Sequence, residues 1–202
     1  MAGKMSSNEI SPPSFETIDY WNDEYTRRKR NREWYFKFEE GLDDLLEGHL
    51  KTASTVLSLG CGNSVFSQSL AALGHTVIGV DNSPTVIEQM SAAHADNPRM
   101  EFRCIDCCAA FPFQDETFDL VFDKGTFDCI RCGPGWAEKI RICLEECHRA
   151  LKPGGVLLSI SHSRWEVPFN KDNWDINTKL FYPVRKRSVV ESPFYIITAR
   201  KR

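Results

Sequence analysis

The sequence predicts an α/β fold in which helices cover both faces of a doubly wound, mostly parallel sheet of seven strands. The first observation is that short apolar segments alternate with helical segments between residues 56 and 161. Such an alternation is typical of consecutive βαβ units, which build parallel sheets. The second observation is a pair of strand-like segments, 178–190 and 193–200, with the turn Glu191-Ser192 between them. This pair predicts an antiparallel hairpin at the end of the sheet.

Local signals justify the elements in chain order. Residues 15–30 and 33–50, which carry aromatic residues, predict two helices before the sheet. Pro84 in a first turn, with Asn82 or Ser83 as N-cap, predicts the start of a later helix, and Lys152-Pro153-Gly154-Gly155 ends another. The remaining predicted strands are 56–59, 76–80, 100–105, 118–122 and 156–161, with helices at 64–73, 84–95 and 138–151.

Length and composition indicate a single globular domain. The chain has 202 residues, of which 42% are hydrophobic and 26% charged, and a chain of this size can bury a substantial core. We expect a flexible polar arm over residues 1–14 and one domain over residues 15–202. The sequence has no apolar stretch near the ~18 residues of a membrane span and no apolar signal region at its N-terminus. A cytoplasmic location without membrane attachment is therefore expected.

Charge and cysteine content limit the partners. The net charge of −3 disfavours a nucleic-acid binder, and no feature indicates an oligomeric interface, so a monomer is expected. The pairs Cys104-x-x-Cys107 and Cys129-x-x-Cys132 have the spacing of a four-thiolate zinc site. No compact knuckle surrounds either pair, so reduced thiols without a metal are the favoured interpretation.

The stretch "LGCGNS" places a glycine-rich loop directly after the first strand of the alternating region. In an open α/β sheet, ligands bind at the carboxyl ends of the strands, where this loop lies. A dinucleotide fingerprint requires G-x-G-x-x-G, but Val65 occupies the position of the third glycine. Gly60 and Gly62 instead fit the looser motif of enzymes that use S-adenosylmethionine (SAM), in which the backbone approaches a ligand without a pyrophosphate.

Two carboxylates follow the next two strands. Asp81 ends "HTVIGVD" and can accept both hydrogen bonds of a ribose diol, or it can cap the following helix. Asp106 ends "FRCID" and can accept a bond from an adenine amino group, or it can be a solvated turn residue. The glycine loop and both carboxylates occur in order on successive strand ends, so together they indicate a nucleoside-containing cofactor more strongly than any one alone.

Several motifs are similar to one family. "LGCGNS", "DNSPTVIEQM", "MEFRCID" and "FDLVFDKGTFD" resemble the methyltransferase-like enzymes that methylate lysines of translation elongation factor 1-alpha. The tetrad Asp123-Lys124-Gly125-Thr126, followed by Asp128, is the most specific piece, and "DYWNDEY" and "EWY" near the N-terminus are also similar. The resemblance covers about residues 19–161 and implies a Rossmann-like class I methyltransferase fold.

The resemblance also implies roles for individual residues. The glycine loop (Gly60, Cys61, Gly62, Asn63, Ser64) would hold the methionine part of SAM, Asp81 with Asn82 the ribose, and Asp106 with Cys107 the adenine. The aromatic residues Tyr20, Trp21, Tyr25, Trp34 and Tyr35 would close over cofactor and substrate, or simply seal helix against sheet. Asp123 would orient an acceptor amine beside the cofactor, with Lys124 and Thr126 in the same catalytic tetrad; alternatively, Asp123 bonds loop amides or Lys124.

The function implied is transfer of a methyl group from SAM to a protein lysine, with elongation factor 1-alpha as the candidate partner. The Asn/Asp-Pro-Pro-aromatic turn that is usual for base methylation is replaced by Asp123-Lys124-Gly125-Thr126, which disfavours nucleic-acid acceptors. A small-molecule methyltransferase stays open, because the fold alone does not fix the acceptor. A SAM-binding protein without catalysis and a zinc-bearing interaction module are the alternatives from other classes.

Overall fold

The structure, a computed structural model, describes residues 14–28, 31, 33–50, 53–164, 166, 168–184 and 192–202. The predicted arm over residues 1–14 lies outside the described residues except for Ser14, so the domain bounds stay a prediction. The seven strands are β1 Thr55–Leu59, β2 Thr76–Asp81, β3 Met100–Cys104, β4 Phe118–Lys124, β5 Leu151–Ser161, β6 Trp174–Phe181 and β7 Phe194–Lys201. The α-helices of the described chain are α1 Ile18–Arg27, α2 Leu42–Leu46, α3 Phe66–Ala72, α4 Pro84–Ala93, α5 Thr126–Ile130 and α6 Trp136–Ala150.

The strands form one sheet in the order β3-β2-β1-β4-β5-β7-β6. The first five strands of this order are parallel, and β7 is antiparallel to both β5 and β6. The predicted fold class is therefore confirmed. Because the chain order reverses between β1 and β4, the carboxyl ends of these strands diverge into different loops and open a crevice.

Alternate side chains of the strands bury two apolar cores on the two faces of the sheet. On one face, Leu57 and Val121 pack with Ile140 and Leu144 of α6. On the other, Val56, Leu120 and Phe122 pack with α2, α3 and Phe36. Burial on both faces explains the nearly continuous apolar runs of the central strands. In the described part of the chain, no helix has the length and apolar character needed to cross a membrane.

The predicted helix over residues 33–50 is wrong. Residues 33–37, which we call the connecting segment, are not helical; a 3₁₀ turn, Phe38–Glu40, and the short α2 follow. Tyr35 has φ +66° and Gly41 has φ +109°, and neither value is compatible with a continuous right-handed helix. The distortion lets Phe36 pack against Phe181 and Phe194, with ring centroids 5.1 and 5.2 Å away. Tertiary packing therefore overrides helix propensity here.

Two further predictions need correction. The helix α5 directly follows β4 and was not predicted, because its five residues are too short for a periodic pattern. The hairpin was predicted with its outer strand at 178–190, but β6 ends at Phe181 and pairs from Trp174 with Lys201. Trp174 is 3% exposed, so burial of this side chain draws the strand toward the earlier residues. Residues 185–191, which include Glu191 of the predicted turn, lie outside the described residues.

Candidate active site

A cavity opens at the carboxyl ends of β1, β2 and β4, beside the reversal of strand order. All but three of the site residues predicted from the sequence line it: Trp21, Tyr25, Trp34, Gly60, Cys61, Gly62, Asn63, Ser64, Asp81, Asn82, Asp106, Cys107, Lys124 and Thr126. Tyr20, Tyr35 and Asp123 are not part of the lining. Crevices of this kind are the usual ligand sites of open α/β sheets.

The glycine loop forms the floor of the cavity because two of its residues lack side chains. Gly60 has φ +52° and Gly62 has φ +49°, which L side chains rarely adopt. A Cβ at Gly60 would lie 2.2 Å from Thr126 Oγ1, and one at Gly62 would lie 2.8 Å from the Tyr25 hydroxyl oxygen. Thr126 in turn donates its hydroxyl hydrogen to the Leu59 carbonyl at 3.0 Å. The loop backbone is therefore packed against both α5 and α1.

Asp81 fixes this loop from the neighbouring strand. Its Oδ2 accepts the Gly62 N–H at 3.0 Å, and its Oδ1 accepts the Ser83 N–H at 3.0 Å. Burial raises the pKa of the Asp81 carboxyl group, and backbone hydrogen bonds from Ser83, Gly62 and Asn82 oppose that rise. Each carboxylate oxygen has a second lone pair. The N-cap of α4 is Ser83, whose Oγ accepts from Val86 N–H, so Asp81 does not serve as that cap.

An aromatic wall covers the loop. Trp21 stacks on Tyr25 with ring centroids 5.7 Å apart, and its ring lies 5.6 Å from that of Trp34. The Trp21 indole N–H donates to the Phe15 carbonyl at 2.7 Å, which fixes the ring. Tyr20 meets Trp21 edge-on at 5.1 Å and supports the wall from outside the cavity. The aromatic residues are thus both a hydrophobic seal and part of the cavity surface.

A buried ion pair that sequence reasoning missed joins the connecting segment to β4. Lys124 Nζ lies 2.6 Å from Glu33 Oε2, and the two side chains are 6% and 12% exposed. Glu33 Oε1 also accepts the Val65 N–H at 2.7 Å and the Ser64 hydroxyl at 2.8 Å. Lys124 donates a further bond to the Phe36 carbonyl at 3.1 Å. Lys124, predicted as a catalytic residue, therefore holds the connecting segment against the glycine loop.

Asp123 takes the alternative role that the sequence left open. It is 1% exposed, and its Oδ1 accepts the N–H groups of Thr126 at 2.9 Å and Phe127 at 3.3 Å. Its Oδ2 accepts the Ser159 hydroxyl at 2.6 Å. Burial raises the pKa of Asp123 to about 7, although the Ser159 hydrogen bond opposes the rise. The side chain fixes the start of α5 from below the cavity.

A second network, also missed by sequence reasoning, centres on Asp128. The Tyr35 hydroxyl donates to Asp128 Oδ2 at 2.5 Å, and the Ser161 hydroxyl donates to Oδ1 at 2.6 Å. His162 contributes its backbone N–H at 3.1 Å and its ring Nδ1 at 3.0 Å. Burial acts to raise the pKa of Asp128, but these hydrogen bonds outweigh it and the pKa is lowered. A Cβ at Gly125 would lie 3.0 Å from the Tyr35 hydroxyl, so the network adjoins the cavity lining.

The turn after β3 lines a further part of the cavity. Asp106 is exposed and its Oδ1 accepts the Cys108 N–H at 2.8 Å, while Cys107 is buried. All eight cysteines are free thiols. Within the described ranges, the two Cys-x-x-Cys pairs do not converge on a common metal position, and the group of ligands that does lie together is Asp106, Cys107 and Cys108.

The chain shares its fold with solved SAM-dependent methyltransferases. A SAM-dependent methyltransferase from Methanosarcina mazei superposes with a TM-score of 0.62 at 17% identity, over 78% of this chain and 96% of that one. A TehB-like SAM-dependent methyltransferase from Corynebacterium glutamicum also gives 0.62, at 20% identity, over 90% of this chain and 98% of that one. At these identities the likeness establishes the fold.

Sequence comparison gives the family. A methyltransferase domain matches residues 57–159, and the chain belongs to this family. It is 33% identical over 175 residues to the bovine (Bos taurus) eEF1A lysine and N-terminal methyltransferase, covering 81% of this chain and 25% of that protein. It is 31% identical over 170 residues to the mouse (Mus musculus) EEF1A lysine methyltransferase 4, covering 75% of this chain and 66% of that protein. The chain thus spans about a quarter of the first relative and about two thirds of the second. The resemblance predicted from the motifs is confirmed.

The cofactor predicted for this family, SAM, is likewise confirmed, and the cavity residues fit it. The backbone of Gly60 and Gly62 lines the cavity without side chains, and a Cβ at these positions would collide with Thr126 and Tyr25 respectively. Beside the glycine loop, Asp81 supplies a carboxylate, which is the group that binds a ribose diol in nucleotide sites. The wall of Trp21, Tyr25 and Trp34 supplies an apolar cover.

Proposed function

We propose that this chain transfers a methyl group from SAM to a lysine amine of a protein. The observation that carries the proposal is the glycine loop, clamped by Asp81 at the point where the strand order reverses. Family membership supports the reaction class. The names of the two relatives, both of which refer to lysine methylation of elongation factor 1-alpha, support the acceptor.

The cofactor-binding roles are divided along the cavity. Residues 60–64 would hold the methionine part of SAM, Asp81 with Asn82 the ribose, and Asp106 with Cys107 the adenine. Trp21, Tyr25 and Trp34 would cover the bound cofactor. These roles are supported by the position of all of these residues in one lining.

Methyl transfer from SAM requires the acceptor to be aligned with the methyl group, and it does not require an acid catalyst. When bound, SAM supplies a methyl group on a positively charged sulfur that leaves as a neutral thioether. Since that leaving group needs no proton, the protein must align the acceptor and exclude water. A lysine amine, with a reference pKa of about 10.4, must also arrive without its proton. An aromatic cavity favours the neutral amine, because desolvation lowers the pKa of an ammonium group.

The acceptor end of the cavity is proposed to be the rim beside Gly125, formed by Tyr35 and His162. The Asp128 carboxylate holds both side chains, and its lowered pKa keeps it anionic near neutral pH. Arg131 Nη1 lies 3.3 Å from Asp128 Oδ1 and offsets part of this negative charge, so the carboxylate acts mainly by holding Tyr35 and His162 at the rim. Asp128 is therefore proposed as a positioning residue, as is Asp123, which orders α5 from beneath.

Calorimetric titration with SAM tests the cofactor half of the proposal. Binding is expected with one SAM per chain, together with a higher melting temperature, because a ligand of the folded state stabilises it. If well-folded protein did not bind SAM, the proposed methyltransferase reaction would be refuted.

Radiolabelled SAM tests the acceptor half. With elongation factor 1-alpha or a cell lysate, label is expected in protein, and mass spectrometry should locate it on lysine. The matched control is the same substrate with its lysines reductively methylated beforehand, which should take up little label. Label confined to small metabolites would instead identify a small-molecule methyltransferase. We propose a cytoplasmic, monomeric enzyme; cell fractionation and light scattering after gel filtration test these two points.

A further inference from the structure

The turn after β3 gathers three metal-ligating side chains. A carboxylate oxygen of Asp106 and the sulfur atoms of Cys107 and Cys108 all lie within 4.8 Å of one another, and the described part of the chain holds no second such group. Consecutive side chains in a strand point to opposite faces. Here the chain has left β3, and the bond from Cys108 N–H to Asp106 Oδ1, 2.8 Å long, closes a tight Asx turn. The turn therefore allows neighbouring side chains to converge.

The helix α6 places further thiols behind this turn. Cys143 is fully buried and belongs to the same apolar core as Cys107. Cys147, one helical turn later, has its sulfur 3.9 Å from that of Cys143. The thiols of Cys108, Cys107, Cys143 and Cys147 therefore lead from the half-buried turn into the core.

Solvent reaches the turn through the cavity. Asp106, Cys107 and Cys108 all line it, and Asp106 is exposed. An ion that enters the cavity thus meets the exposed Asp106 carboxylate first, with the buried Cys107 and the half-buried Cys108 next to it. Both exposed Cys104 and exposed Cys132 lie outside the group.

We propose that Asp106, Cys107 and Cys108 bind a thiophilic divalent cation of the Zn²⁺ and Cd²⁺ class. Thiolate ligands select such ions over Mg²⁺ and Ca²⁺. In a tetrahedral zinc site, sulfur lies about 2.3 Å and oxygen about 2.1 Å from the metal, which puts the ligand atoms roughly 3.6–3.8 Å apart. The observed ligand atoms, all within 4.8 Å of one another, therefore need to approach one another by about 1 Å at most.

The binding step is a ligand exchange without oxidation or reduction. The hydrated ion gives up water molecules, and bonds form from the metal to two sulfurs and one oxygen. The protons of the Cys107 and Cys108 thiols pass to the buffer, so affinity is expected to increase with pH. Because Asp106 and Cys107 also belong to the wall that would hold the adenine of SAM, the ion and SAM should compete. This competition rests on the proposed function, whereas the metal site itself does not.

Titration of the full-length reduced protein with Co²⁺, in the absence of SAM, tests the site directly. One Co²⁺ per chain is expected, with the absorption band of cobalt–thiolate charge transfer, and Zn²⁺ should abolish the band. C108S and D106N should each weaken binding at least tenfold. C132S, which removes an exposed thiol outside the group, should leave the titration unchanged. The variant C107S alters a buried residue and is not needed for the test. Cys108 is half-buried and Asp106 exposed, so C108S and D106N test the site even if C107S does not fold. The proposal would be overturned if the band were missing, or if C108S and D106N bound Co²⁺ as tightly as the unmodified protein does.

The same titration in the presence of saturating SAM tests the competition. An apparent Co²⁺ affinity at least tenfold weaker is expected. Equal affinities with and without SAM would refute the competition while the site stands. Failure of SAM to bind the metal-free protein would instead refute the proposed function.

Discussion

The two sides of the cavity depend on different kinds of sequence information. The cofactor side is local: Gly60, Gly62 and Asp81 lie within two consecutive strand ends, and 19 residues separate the partners of the Gly62–Asp81 bond. The opposite side is assembled from distant segments. Glu33 pairs with Lys124 across 91 residues, and Tyr35 bonds Asp128 across 93. A short motif can thus fix where the glycine loop lies, while the side built from the connecting segment and α5 depends on pairs that no local pattern reveals.

The Glu33–Lys124 pair gives the largest expected effect. E33Q removes the charge that neutralises a lysine whose side chain is 6% exposed. An uncompensated buried charge is costly, so the free energy of unfolding should fall by about 3–5 kcal/mol. Urea denaturation measures this loss. The double variant E33Q/K124M should recover part of it, because neither charge is then left alone.

An exposed ion pair provides the matched control for this prediction. Arg27 and Asp23 lie 2.6 Å apart on α1, with side chains 72% and 53% exposed. D23N should change the free energy of unfolding by less than about 1 kcal/mol, since solvent screens exposed pairs. If E33Q proved as mild as D23N, the connecting segment would not depend on its ion pair.

Asp123 lies on β4, between the two sides, and predicts a pH dependence. Its pKa is raised from 3.8 to about 7, so between these values the folded state keeps a proton that the unfolded state has lost. The folded state then binds more protons, and stability decreases as pH rises, by at most about 1.4 kcal/mol per pH unit. D123N has no such proton. The stability of D123N relative to the unmodified protein should therefore increase from pH 4 to 7 and level off above, as measured by urea denaturation. Parallel pH profiles would exclude a raised pKa at Asp123.

Asp81 tests the cofactor side. D81A removes the carboxylate that accepts the Gly62 and Ser83 amides and that is proposed to bind the ribose. SAM binding should weaken by roughly 1–3 kcal/mol, the scale of lost hydrogen bonds to a charged group, and calorimetry measures it. D96A makes the same substitution at an exposed position and should bind SAM normally. Unchanged affinity in D81A would mean that the ribose assignment is wrong.

The fold and the position of the glycine loop beside Asp81 could be predicted because their signals are periodic or local. Alternating strand and helix patterns gave the parallel sheet, and Gly60, Gly62 and Asp81 stand at strand ends that the pattern itself defines. The connecting segment could not be predicted, because "EWYFKFEE" has residues compatible with a helix. Its real conformation is set by Phe36 and Tyr35, which are held by side chains far along the chain.

Lys124 and Asp123 show that a recognisable motif also leaves the contacts of its side chains unpredicted. The tetrad after β4 is recognisable in the sequence, but its residue types do not reveal where the side chains point. Lys124 faces Glu33, and Asp123 accepts hydrogen bonds from the Thr126 amide and Ser159. Asp128 follows the tetrad as part of the same motif, but no local pattern links it to His162. Only the juxtaposition of β4 and β5 brings the two together.

Tyr35 gives the smallest expected effect and separates the two sides most cleanly. Y35F removes the hydroxyl that donates to Asp128 but keeps the ring that lies 5.0 Å from Phe194. Asp128 retains its bonds to Ser161 and His162. The removed hydrogen bond should therefore cost about 1–2 kcal/mol of transition-state stabilisation, which lowers kcat/KM for the protein acceptor roughly tenfold. The Kd for SAM should not change, because Tyr35 is not part of the cavity lining.

The exposed tyrosine Tyr182 provides the control, and Y182F should alter neither quantity. Steady-state methylation with varied acceptor, together with SAM calorimetry, separates the outcomes. A parallel loss of SAM affinity in Y35F would place Tyr35 on the cofactor side, and the division between local and long-range walls would fail there. A loss confined to kcat/KM for the acceptor, with the Kd for SAM intact, is what that division requires, since the Tyr35–Asp128 bond reaches only the rim beside Gly125.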